Sequence, residues 1–95
     1  MTVKILIKRK VPEEKNEALV EILKDLRART LVQPGYLYGE TLTRLDKSGE
    51  SMVISTWKSM DDFMKWVMNP DRIEIQDKID SMLKSKTVFE IYKYT

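Results

Sequence analysis

The stretch Trp57-Lys58-Ser59-Met60-Asp61-Asp62-Phe63-Met64-Lys65-Trp66 contains a change of period that decides the architecture around it. Ahead of it, Ser51 to Trp57 is rich in β-branched and aromatic side chains and reads as a strand. Ser59 then offers a hydroxyl that can accept from the backbone N–H near Asp62, the mark of a helix N-cap. Met60, Phe63, Met64 and Val67 follow at helical spacing and share one face. A strand therefore runs almost directly into a helix, and the two must pack together.

Downstream, Asn69-Pro70 breaks that helix, and Pro70 suits the first turn of another, whose missing N–H does no harm there. Ile73, Ile75, Ile79, Met82 and Leu83 form its apolar side, and Thr87 to Tyr94 closes the chain as a strand. Upstream, Tyr36 to Leu45 reads as a strand joined to Ser51–Trp57 through the turn residues Asp46-Lys47-Ser48-Gly49, which makes a hairpin. Thr2 to Arg9 alternates as a strand with one face more buried than the other. Pro12 opens a helix with Glu13 and Glu14 at its positive end, and Ala18, Leu19, Ile22, Leu23 and Leu26 form its stripe.

The predicted order is β-α-β-β-α-α-β, which fits a split βαβ arrangement with helices on one face of a four-stranded antiparallel sheet. Apolar and aromatic residues occupy both alternation phases of the strands. Tyr36, Tyr38 and Leu42 stand against Leu37 and Leu45, and Val53 and Trp57 against Met52 and Ile54. A sheet face left without helices would then expose apolar surface, so a homodimer through that face is expected.

Composition removes several chemistries. The 95 residues carry 17 Lys+Arg, 15 Asp+Glu and neither His nor Cys, which leaves no thiolate nucleophile, Ser-His-Asp triad, disulfide or ordinary zinc site. No metal site is expected. The one dense basic patch, Lys4, Lys8, Arg9 and Lys10, is followed at once by Glu13, Glu14, Glu17 and Glu21, so it reads as a solvated strand end and not as a nucleic-acid surface. No segment approaches the ~20 apolar residues that span a bilayer, so neither membrane insertion nor export is expected, and a cytoplasmic location agrees with the absence of thiols.

The segment Trp57 to Trp66 resembles the W-x-S-x-x-x-F-x-x-W/H stretch of the antibiotic-biosynthesis monooxygenase (ABM) domain, of which haem-degrading monooxygenases are one branch. Pro34-Gly35-Tyr36 resembles the family's P-G-F/Y entry to strand two. The resemblance implies one ABM-like domain over residues 1–95, with a ferredoxin-like α+β fold that pairs into a dimeric α+β barrel and keeps a pocket between each sheet and its helices. It also implies cofactor-independent oxygenation of a small aromatic or phenolic metabolite. The haem-degrading branch places a His ligand where this chain has Gln76 and Asp77, and an Asn on strand one where it has Ile5, Leu6, Ile7 and Lys8. Haem is not expected, nor is any other cofactor.

Quinone-forming members carry an Asn four residues before the motif Trp and a Tyr six after it, positions held here by Val53 and Phe63. The candidate substrate pocket comprises Trp57, Phe63, Trp66 and Tyr36, with Trp57 facing the cavity from its strand end. Trp66, beside the Met60–Val67 stripe, is expected to matter less to a ligand. Ordinary packing is the competing role for all of these aromatics. Tyr36 and Tyr38, read as sharing a strand face, could present hydroxyls to the pocket or cover the dimer seam. Glu40 on the same face is the candidate acid/base, with Tyr38 as the other proton-handling group, since burial of a carboxylate raises its pKa. A salt bridge is the competing role for Glu40. A non-catalytic dimer that binds a small ligand, or a purely structural member of the fold, is the alternative function.

Overall fold

The computed structural model describes residues 1–95. The order is β1 Val3–Lys10, a short 3-10 turn at Glu13–Lys15, α1 Asn16–Leu31, β2 Tyr36–Thr43, β3 Glu50–Trp57, α2 Met60–Val67, α3 Pro70–Leu83 and β4 Phe89–Lys93. The strands form one antiparallel sheet in the order β2-β3-β1-β4, the ferredoxin-like α+β topology that the sequence predicts. No helix is long and apolar enough to cross a membrane.

Local chemistry sets the junctions. Ser59 caps α2 by accepting from the Asp62 backbone N–H at 3.1 Å, and its own hydroxyl donates to Asp62 Oδ2 at 3.1 Å. The Asn69 side chain accepts from the Asp71 N–H at 2.9 Å with Pro70 at the first turn of α3. Gly35 takes φ +86°, and a Cβ there would overlap the Asp62 side chain, so the Pro-Gly step lets the start of β2 close against the α2 cap. The Lys58 N–H donates to the Gly35 carbonyl at 2.7 Å across the same junction.

Register assigns the faces. Val3, Ile5, Ile7 and Arg9 of β1 stand opposite Trp57, Ser55, Val53 and Ser51 of β3, and this face meets the helices. Val3, Ile5, Ile7, Trp57, Phe63 and Trp66 form one buried cluster, and Leu19, Ile75 and Ile79 form a second between α1 and α3. Burial of such side chains contributes roughly 25 cal/mol per Å² of apolar surface removed from water.

The α2 helix buries Phe63 and Trp66, while Met60 and Met64 of the expected stripe are exposed. The larger indole takes the sheet side of this short helix and rolls the methionines outward. On α3 the buried line is Arg72, Ile75, Gln76 and Ile79, and Ile73 is exposed. Arg9, read in the sequence as part of a solvated strand end, is buried on the helix side of the sheet.

The other sheet face has no helix. It carries Lys4, Leu6 and Lys8 of β1, Met52, Ile54 and Thr56 of β3, and Tyr38, Glu40 and Leu42 of β2.

Candidate functional site

A cavity of about 290 Å³ lies between the helix side of the sheet and α1, α2 and α3. Its wall is an aromatic chain in which each ring meets the next edge to face. Tyr36 and Trp57 have ring centroids 5.4 Å apart at 84°, and Trp57 and Phe63 5.5 Å apart at 64°. Beyond the cavity wall, Phe63 meets Phe89 at 5.2 Å and 85°. Trp57 is 1% exposed, and its Nε1 donates to Ser55 Oγ at 3.1 Å. The hydroxyl of Tyr36 lies over Gly39, where a Cβ would stand 2.7 Å from it. Leu23 and Leu26 of α1 and Val53 of β3 also line the space.

The lining is not wholly apolar. Arg9 from β1 and Arg72 from α3 border the cavity, and they are only 5% and 6% exposed. Burial and the nearby positive charge of Arg72 bring the Arg9 guanidinium down to about 10, against an opposing attraction from Asp80 that raises it. Burial likewise lowers Arg72, with Asp80 again opposing. Both stay cationic at neutral pH. Arg72 Nη2 donates to Gln76 Oε1 at 3.4 Å, whereas Arg9 Nε and Nη2 are buried without any hydrogen-bond partner. Asp80 Oδ1 accepts from Gln76 Nε2, the Thr87 N–H and the Thr87 hydroxyl.

A second, larger groove of about 600 Å³ runs past Lys8, Arg9, Lys10, Leu42, Arg44 and Met52 at one end of the sheet, so Arg9 borders both spaces. It has no aromatic wall, and its Arg44 is already held by Asp46 and Glu50, so the smaller cavity is the better candidate.

Residues 2–78 match the family described as antibiotic biosynthesis monooxygenase. The chain belongs to that family. Among solved structures, this ABM chain is similar to a conserved protein from Methanosarcina mazei Go1 at TM-score 0.91 and 19% identity, covering 100% of this chain and 94% of that one. A point variant of SnoaB, a cofactor-independent oxygenase from Streptomyces nogalater, follows at TM-score 0.85 and 17% identity, with 98% and 92% covered. Rv0793 from Mycobacterium tuberculosis matches at TM-score 0.87 and 13% identity over 100% and 96%. No curated protein matches the chain in sequence.

Within this ABM fold the expected site residues divide. Tyr36, Trp57, Phe63 and Trp66 come together at the cavity, and Trp66 is buried like Phe63. Tyr38 does not join them. A register irregularity between Tyr36 and Tyr38 pairs Tyr36 with Trp57 and Tyr38 with Thr56, which turns the two rings to opposite faces.

Tyr38 is 57% exposed on the helix-free face, with Lys4 Nζ 5.2 Å from its ring centroid. Its hydroxyl titrates below its ordinary value because it bonds Thr56 and lies near Lys4. Glu40 pairs with Ile54, so by register its side chain belongs to that same outer face. The residue is exposed on the edge strand β2 and is one of those that line the cavity. Of the two candidates for proton handling, Tyr38 stands away from the cavity and Glu40 borders it. Arg9 and Arg72, absent from the sequence-based candidates, also border the cavity.

Proposed function

We propose that this ABM domain is a cofactor-independent monooxygenase acting on a small electron-rich aromatic, a phenol or quinol, held in the 290 Å³ cavity. The supporting observation is the edge-to-face run of Tyr36, Trp57 and Phe63 along one wall, which suits a flat aromatic guest. Family membership and the likeness in fold to SnoaB, a cofactor-independent oxygenase, agree with this reading.

In the proposed reaction the phenol supplies all four electrons that dioxygen takes up. One oxygen atom bonds to the ring carbon para to the hydroxyl. The other leaves as water with the hydrogens of that carbon and of the hydroxyl, and the product is a quinone. The role of the protein is to orient the ring and stabilise the phenolate as its proton leaves.

A second reading, a non-catalytic dimer that binds a small ligand, is favoured by one observation. Val53 and Phe63 line the cavity, so it offers neither an amide nor a phenol at the two positions where quinone-forming members carry them. Oxygen uptake with a panel of quinols and flavonoid-like phenols separates the two. Consumption that falls on truncating Trp57 supports the oxygenase. Ligand binding with no uptake across the panel supports the binding module.

For the helix-free face we infer a covering by a second copy of the chain. Leu42, Tyr38 and Tyr92 are exposed there, around a half-buried centre of Leu6, Met52 and Ile54. Lys4 and Tyr38 would then lie in the seam between the two copies.

A further inference from the structure

We propose that Arg9, supported by Arg72, is the anion-binding end of the cavity, and that the aromatic ligand carries a carboxylate. The inference rests on the reading of the cavity as the ligand site and adds the chemical class of its guest.

Arg9 is deeply buried yet Nε and Nη2 have no hydrogen-bond partner. Those two nitrogens form one edge of the guanidinium, and their N–H groups run side by side. That edge matches the two oxygens of a carboxylate in a bidentate pair. An unpaired buried charge is costly, and in native proteins such groups are few and call for an explanation.

No side chain of the chain answers Arg9. Asp80, the nearby carboxylate, forms no ion pair with either arginine, and its Oδ1 is committed to Gln76 and Thr87. Arg72 brings a second positive charge to the same wall. A single free guanidinium edge matches one carboxylate. The aromatic wall of Tyr36, Trp57 and Phe63 fixes the rest of the guest as a flat ring. Lys24 and Arg27 of α1 also border the space and would draw an anion toward it.

The test uses two redox-inert probes of equal shape, naphthoate and naphthamide, titrated calorimetrically into the full-length protein and its variants. Naphthoate should bind at least about tenfold more tightly than naphthamide to the wild type, the scale of one charge-assisted bidentate pair. Arg9→Met should bring the two affinities to within about twofold, and it should raise the melting midpoint of the ligand-free protein by removing an unpaired buried charge. Arg72→Gln, which keeps the length needed to meet Gln76, gives a second route to the same loss of preference should Arg9→Met fail to fold.

Equal binding of both probes to the wild type, with Trp57→Phe weakening both, would overturn the carboxylate site and leave the cavity as a ligand site. Binding of neither probe would overturn both. A lowered midpoint in Arg9→Met with the acid preference intact would show Arg9 to be structural and would also overturn the proposal.

Discussion

Trp57 Nε1 donates to Ser55 Oγ at 3.1 Å, a bond between two side chains on one face of β3 that fixes the indole plane against the cavity. The ring and the hydroxyl are both buried, so neither can turn to water instead. Ser55→Ala should therefore leave a buried indole N–H unpaired and cost about 1–3 kcal/mol of stability. Chemical denaturation reads the loss, and a shifted tryptophan emission reports the loosened ring. A variant as stable as wild type, with unchanged emission, would show that the hydroxyl does not hold Trp57.

Gly39 has a different relation to the site. A methyl group there would stand 2.7 Å from the Tyr36 hydroxyl and 3.1 Å from the Ile54 carbonyl oxygen. The hydroxyl ends a side chain that can swing, whereas the carbonyl belongs to the neighbouring strand. Gly39→Ala should push Tyr36 out of its edge-to-face contact with Trp57 at a modest cost of about 1–2 kcal/mol, within the range for overpacking. Aromatic ligand affinity should fall severalfold, and Tyr36→Phe in the same background should recover part of it by removing the clashing atom. Unchanged affinity in Gly39→Ala would place the ligand away from Tyr36.

The fold was legible because its signals are local. Ser59 before Met60, Pro70 after Asn69, and the Asp46–Gly49 turn each set an element boundary through the backbone of a few residues. The site was less so, for two physical reasons. One irregular residue step between Tyr36 and Tyr38 reverses which face every later β2 side chain takes, and no composition rule locates such a step. The arginines were hidden by their type and not by their position. Arg9 continues the alternation of Val3, Ile5 and Ile7, and Arg72 lies three residues before Ile75 and seven before Ile79. A charged residue at a core-period position is the signal that could have found both of them.

The β2–β3 turn should respond to acid. Hydrogen bonds from Arg44 hold Asp46 and Glu50 below their ordinary values, and for both desolvation opposes this. A carboxylate lowered in the folded state stabilises the fold above its unfolded pKa, and that stabilisation is lost as pH falls through its folded one. Arg44→Ala should thus reduce stability at pH 7, and its effect should shrink as pH falls through the lowered folded values of the two carboxyls. Thermal melts of the two proteins from pH 7 downward should converge below the ordinary carboxylate range of about 4. A gap that persists undiminished at the acid end would assign the role of Arg44 to packing.

The helix-free face makes the last prediction. Ile54 sits at its centre, opposite Leu6 on β1 and Glu40 on β2. A stable pair of chains should bury more than about 1,200 Å² in total, which this face can supply only if its middle is covered. Ile54→Lys puts a charge in that middle while allowing an ion pair with Glu40 across the strand, so the isolated sheet can accommodate it. In the dimer the same ammonium would lose its water against an apolar partner surface, at a cost of several kcal/mol. Sedimentation at micromolar concentration should therefore find a dimer for the wild type and a folded monomer for Ile54→Lys, with circular dichroism unchanged between them. A wild-type monomer, or a variant that sediments as a dimer, would show that this face is not the one that pairs.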